Sequence, residues 1–210
     1  MHIPITKPFF GQEEMNAVLE PLRTGWIVQG PKVAEFERLF AEYTGSRHAI
    51  ATTSCTSALH LALVALGIEP GDEVILPAFT FVASANVVEQ MGAKPVFVDV
   101  DLATFNIDVS RIGESVSERT VAIMPVSLFG LSADMDPILE IAQRHRLKVI
   151  EDAACAIGAW HRDCHAGTRA DIGCVSFHPR KVITTGEGGM VLTQDDRIAD
   201  VLRSLRNHGA

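Results

Sequence analysis

Residues 121–152, VAIMPVSLFGLSADMDPILEIAQRHRLKVIED, read as a strand, a helix and a second strand. Val121–Val126 is an apolar run of strand length and Asp134–Arg146 keeps a helical period. Lys148–Ile150 is apolar again before it runs into Glu151-Asp152-Ala153-Ala154. Short apolar runs alternating with helical segments point to an α/β sheet with helices on its faces. The alternation continues outward in both directions. Upstream lie the strand His48–Thr53, the helix Thr56–Leu66 stopped by Gly67, and the strands Glu73–Leu76 and Pro95–Val98 flanking a helix from about Phe81 to Gln90. Downstream lie the strands Gly173–Phe177 and Gly189–Thr193 and a helix Asp195–Arg206. Two helices, Gln12–Arg23 and Pro31–Tyr43, open the chain. The loop between them holds Gly25 and Gly30, and Pro31 suits a first helical turn because its missing N–H costs nothing there.

At 210 residues the chain can bury one substantial core, and no repeat, low-complexity tract or linker divides it. A net charge of -8 disfavours nucleic acid or an anionic membrane as the main partner, while leaving room for a local cationic site. No apolar run is long enough for a membrane span. MHIPITKPFFGQEE lacks the basic segment and apolar core of a secretory signal, so a cytoplasmic location is expected. Cys155, His161, Cys164, His165 and Cys174 fall close together, but their spacings match no common zinc pattern. No metal is expected, and the thiols read as reduced.

In an open α/β sheet, ligands sit beyond the carboxyl ends of the strands. That rule selects Ser54-Cys55-Thr56, Phe79-Thr80-Phe81, Ser127, Asp152 and Ser176. The hydroxyl-rich turn Thr53–Ser57 opens a helix, whose free N–H groups and dipole suit a phosphate; plain N-capping by Ser54 or Thr56 is the other reading. Asp152, at a buried strand end, needs a partner, either a protonated pyridine nitrogen or structural backbone donors. Lys181 follows Ser176-Phe177-His178-Pro179-Arg180 and enters the glycine-rich stretch Thr184–Gly189. An amine withdrawn from solvent there is a nucleophile toward a carbonyl; a solvated surface charge is the plainer reading.

Taken together, these residues resemble the DegT/StrS-type nucleotide-sugar aminotransferases. The matching stretches are Gly25–Val33, Ser54–His60, Leu76–Phe81, Glu151–Ala154, Asp171–His178, and Lys181 with Thr185–Gly189. The resemblance implies a pyridoxal-phosphate (PLP) transferase large domain, three-layer αβα with a mostly parallel central sheet. It implies PLP as the cofactor, with Lys181 forming the Schiff base and then acting as the base. Asp152 would pair with the pyridinium nitrogen and Phe81 would stack on the ring. Ser54, Cys55, Thr56 and Ser176 would hold the phosphate. The implied reaction moves an amino group from an amino acid such as glutamate onto a nucleotide-linked keto-sugar, in a homodimer that serves polysaccharide biosynthesis. Relatives that dehydrate sugars carry histidine where this chain has Lys181, which points to transamination.

One position departs from the family pattern. Cys155 stands three residues after Asp152, where members usually have Gln or His beside the cofactor, so it bears on local hydrogen bonding or substrate preference. The resemblance also covers only the large domain. Residues 1–210 are expected to form that PLP-binding domain, with an N-terminal helical segment of about 1–45 and with the family's small C-terminal domain missing. Two alternatives remain: a non-catalytic PLP-binding or protein-binding fragment that needs a separate C-terminal chain, and a PLP-dependent regulator.

Overall fold

The computed structural model describes residues 3–210; Met1 and His2, the start of the expected helical segment, lie outside the described residues. In chain order the strands are β1 (His48–Thr52), β2 (Glu73–Pro77), β3 (Lys94–Val98), β4 (Thr120–Ile123), β5 (Lys148–Asp152), β6 (Trp160–His161), β7 (Cys164–His165), β8 (Ile172–Ser176) and β9 (Gly189–Thr193). β6 and β7 form a small separate hairpin. The other seven make one sheet in the order β1-β9-β8-β5-β4-β2-β3. β3, β2, β4, β5 and β8 run parallel, while β9 is antiparallel to both its neighbours. The sheet is therefore mostly parallel, as expected. β9 is the exception because residues 177–188 contain no helix to carry a crossover, so the chain turns straight back from β8.

The helices are α1 (Gln12–Thr24), α2 (Pro31–Thr44), α3 (Cys55–Ala65), α4 (Ala83–Gln90), α5 (Val109–Ile112), α6 (Met135–His145) and α7 (Asp196–Arg206). They cover both faces of the sheet. On one face Leu59 and Leu63 of α3, Val87 and Val88 of α4 and Leu202 of α7 pack on Val74, Leu76, Ile150, Cys174 and Val191. On the other, Ile112 of α5 and Ile138 of α6 pack on Ile75, Ile123 and Val149, while Phe40 of α2 packs on Val175, Met190 and Leu192. Successive strand residues point to opposite faces. Val74 and Leu76 thus join one core and Ile75 the other, and β2, β8 and β9 are buried along their whole length. The result is the three-layer αβα architecture.

Element ends differ from the sequence reading where a specific residue intervenes. β4 stops at Ile123 rather than Val126 because Pro125 has no N–H for the ladder, and Val126 makes only an isolated bridge to Asp152. α4 starts at Ala83 rather than near Phe81; the N–H of Ser84 donates to the Phe81 carbonyl at 3.1 Å in an irregular first turn. α5 and the β6–β7 hairpin are too short to show a periodicity. α1 buries none of its side chains, and Met15, Val18, Leu19 and Leu22 form an uncovered apolar stripe.

Candidate active site

The carboxyl ends of β5 and β8 bring the charged candidates together. Asp152 ends β5 and is only 4% exposed. Its Oδ1 accepts the Ala154 N–H at 3.1 Å, and its Oδ2 accepts the Ser84 hydroxyl at 2.8 Å. Burial pushes the Asp152 carboxyl up from the ordinary range, opposed by those two bonds and by the charge of Lys181. The preceding residue, Glu151, points to the other face. There it accepts the Ser127 hydroxyl at 2.7 Å and the Gly167 N–H at 2.8 Å, and burial pushes it up too. Ser127 is thereby committed to the core: it also accepts the Ala133 N–H at 3.0 Å, so this strand-end candidate does not join the site.

Lys181 projects from a loop that is tied to β8 and β9 at its base. The Phe177 N–H donates to Gly188 O at 2.9 Å, and Phe177 O accepts Thr184 Oγ1 at 2.8 Å and the Thr185 N–H at 3.1 Å. The Phe177 ring anchors the loop from below, 5.0 Å from Phe36 and 5.3 Å from Phe40 between centroids. Within the loop the Lys181 N–H donates to His178 O at 2.8 Å, and Lys181 Nζ lies 3.0 Å from Cys155 Sγ. Lys181 and Cys155 line a cleft of about 120 Å³ with Ala154, Ile157, Arg180 and Val182.

The turn before α3 approaches the same place. Ser54 is the N-cap, its Oγ accepting the Ser57 N–H at 3.0 Å, so the capping reading holds for Ser54. The first-turn amides of Cys55 and Thr56 have no intrahelical acceptor and remain available to an anion. The Cys55 side chain points inward. Burial pushes its thiol well up, the charge of Asp152 adds to this and that of Lys181 opposes it, so all three share one electrostatic neighbourhood. A Cβ on Gly189 would stand 2.5 Å from Ser54 C and O and 2.6 Å from Cys55 N; only glycine lets β9 carry the turn this closely. Ser176, opposite Gly189 in the ladder and 5% exposed, accepts the His178 N–H at 3.4 Å.

Phe81 follows β2 and is 68% exposed, three residues before Ser84. The cysteine–histidine group disperses. Cys174 is buried in β8, Cys164 is exposed on the hairpin, and Cys155 faces Lys181. His165 Nε2 accepts the Gly158 N–H at 2.9 Å, leaving Nδ1 to donate to Ala166 O at 2.6 Å, so both ring nitrogens are spent. His161 turns instead to Asp134 and Asp136, and Arg162 and Arg169 already neutralise Asp136. Ser84 escaped the sequence reading. It shares the buried stripe of α4 with Val87 and Val88, and a hydroxyl on such a stripe requires a partner; that was the available signal.

These donors and acceptors fit PLP. The Asp152 carboxylate has lone pairs beyond the two bonds it accepts, matching a protonated ring nitrogen. The Lys181 amine matches the aldehyde, and the opening turn of α3 with Ser176 matches the phosphate. In comparison with known proteins, a sequence model of the DegT/DnrJ/EryC1/StrS aminotransferase family matches residues 8–210. The chain is 51% identical over 208 residues to GDP-perosamine synthase of Caulobacter vibrioides, covering 99% of this chain and 56% of that protein. Among solved structures, DesV of S. venezuelae superposes with a TM-score of 0.91 at 41% identity, covering 94% of this chain and 54% of its own. GDP-4-keto-6-deoxymannose-3-dehydratase with a trapped PLP-glutamate geminal diamine gives a TM-score of 0.94 at 31% identity, covering 99% and 55%. The chain spans about half the length of the curated relatives it matches.

Proposed function

We propose that this chain, which belongs to the DegT/DnrJ/EryC1/StrS aminotransferase family, forms the PLP-binding large domain of a sugar aminotransferase. The observation that carries the reading is the pairing of a buried acceptor with an amine at one sheet end: Asp152 on β5, and Lys181 on the loop after β8, close enough to act on its charge. PLP, when bound, supplies a ring that draws electrons away from the carbon bearing the amino group.

The residues of the chain do the rest. Asp152 accepts the ring nitrogen's proton as a hydrogen bond and keeps that proton in place. Lys181 would hold the cofactor's aldehyde through Nζ, and the same amine, when free, would serve as the base that moves a proton. Cys155 Sγ, 3.0 Å away, receives that amine when it swings free. Cys55 and Thr56 N–H groups and the Ser176 hydroxyl bind the phosphate, and the exposed Phe81 ring covers one face of the cofactor. The donor is an amino acid such as glutamate and the acceptor a nucleotide-linked keto-sugar. The relatives named above for GDP-perosamine and for a PLP-glutamate adduct support this choice, and Lys181 supports transamination over dehydration. The active form is a homodimer in the cytoplasm; the apolar stripe left uncovered on α1 supports an interface.

The test is an absorbance spectrum of the purified chain with PLP, before and after borohydride, beside Lys181→Ala. A visible band in the wild type, fixed by borohydride onto the peptide containing Lys181 and absent from the variant, is expected. A wild type without the band, or a variant that keeps it, refutes the assignment.

A further inference from the structure

Asp152 is held by hydroxyls to which the roles above assign nothing. Ser84 is fully buried on α4 with its Oγ 2.8 Å from Asp152 Oδ2, and Thr80 Oγ1 lies 2.9 Å from the same Ser84 Oγ. An ionised carboxylate can only accept, so Ser84 gives it its single proton. The Phe81 carbonyl, 3.2 Å from Ser84 Oγ, competes for that proton and loses to the charged acceptor. The bond between the two hydroxyls must then be filled by the proton of Thr80. Direction follows: Thr80 O–H to Ser84 Oγ, Ser84 O–H to Asp152.

We propose that Ser84, backed by Thr80, is a positioning residue that keeps Asp152 ionised and aimed at the ring nitrogen of PLP. The inference rests on reading this cleft as the PLP site. Its force comes from how few donors the carboxylate has. Apart from Ser84, the Ala154 N–H at 3.1 Å is its hydrogen-bond donor among the described residues. The titratable groups around it are Lys181 on the loop after β8, Cys55 on α3, Cys174 on β8 and Glu151 on its own strand. Of these only Lys181 favours the charged form, while burial opposes it. Without the Ser84 proton the carboxylate is left with the Ala154 N–H, so it ionises at a higher pH and matches a protonated nitrogen less well.

The decisive measurement uses the cofactor-free chain: a carbon-13 NMR titration of the Asp152 carboxyl in wild type, Ser84→Ala, Ser84→Thr and Thr80→Val. Ser84→Ala should raise the pH at which Asp152 ionises and Thr80→Val should raise it less, while Ser84→Thr, which keeps the hydroxyl, should restore it. With PLP added, the dissociation constant of Ser84→Ala should rise about tenfold, the loss of one hydrogen bond to a charge. In an Asp152→Asn background, Ser84→Ala should weaken PLP no further. An Asp152 that ionises at the same pH with and without the Ser84 hydroxyl overturns the proposal, as do losses that simply add. If Ser84→Ala does not fold, Thr80→Val alone must move Asp152 upward. Absence of a PLP band in the wild type would sink the cofactor reading, whereas the NMR comparison judges Ser84 independently of it.

Discussion

Gly189→Ala isolates the contact between β9 and the turn that opens α3. The added Cβ would stand 2.5 Å from Ser54 C and O and 2.6 Å from Cys55 N, roughly 1 Å inside ordinary carbon contact. All three are backbone atoms, so no side chain can swing aside. Gly189 cannot retreat either, because it pairs with Thr52 of β1 on one edge and with Ser176 of β8 on the other. The turn must therefore move. Overpacking of this kind costs about 1–3 kcal/mol, and about 2 kcal/mol in a chain of this size lowers the melting temperature by roughly 4–8 °C. Displacing the Cys55 and Thr56 amides should also loosen the grip on phosphate. One charge-assisted bond lost corresponds to a tenfold or greater rise in the PLP dissociation constant, at about 1.4 kcal/mol per decade. Gly113→Ala is the control: nothing lies within 4 Å of its added Cβ and its φ is -60°, so it should be neutral or stabilising by about 0.4–1 kcal/mol. Calorimetry and a fluorescence titration with PLP read both effects. A Gly189→Ala chain that melts at the wild-type temperature and binds PLP as tightly would refute the steric reasoning.

Phe177→Ala should destabilise the chain by about 3–5 kcal/mol in a denaturant titration, since the ring is 1% exposed between Phe36 and Phe40; an unchanged midpoint would contradict its anchoring role. Hydrogen bonds from Ser117, Lys94 and Arg119 hold the Glu73 carboxyl at about 2, below the ordinary 4.5. A depressed acid stabilises the fold above its unfolded value and loses that contribution as pH falls through the folded one. The gap in melting temperature between wild type and Glu73→Gln should thus be full near neutrality and close as pH falls from 4.5 to about 2. Maleimide followed by peptide mass mapping should label Cys164 and Cys155 and spare buried Cys55 and Cys174. Prior reduction of PLP onto Lys181 should protect Cys155 alone, because its Sγ lies 3.0 Å from Lys181 Nζ.

The sheet was legible because strands covered on both faces read as unbroken apolar runs. Val74, Ile75 and Leu76 supply alternate cores without any polar residue between them. Strand ends could then be listed in order, and the ends of β5 and β8 do converge in space. The same rule offered Ser127, and there it could not see which face the side chain takes: one residue past the bridge to Asp152, the hydroxyl turns to Glu151. Ser84 was hidden for the opposite reason. It lies inside a helix, far along the chain from the carboxylate it serves, and periodicity reports burial but not partners. The cysteines and histidines of residues 155–174 show that nearness in sequence is no guide where a tight hairpin sends Cys164 outward and His165 inward.

β1 lies at the edge of the sheet and makes its whole ladder with β9, from His48 opposite Thr193 to Thr52 opposite Gly189. Among the described strands, the one synthesised first therefore waits for the one synthesised last. Until residue 193 is available, the N–H and C=O groups of β1 lack their β9 partners and can template pairing with another molecule. Such a long-range closure belongs to the slow part of folding, after the parallel strands β2 to β5 have found one another locally. The turn at Ser54 inherits that schedule, because its seat is Gly189. Cofactor binding should then appear only once β9 has paired with β1, and a ribosome-bound chain arrested before β9 would expose a hydroxyl-rich turn without Gly189 behind it.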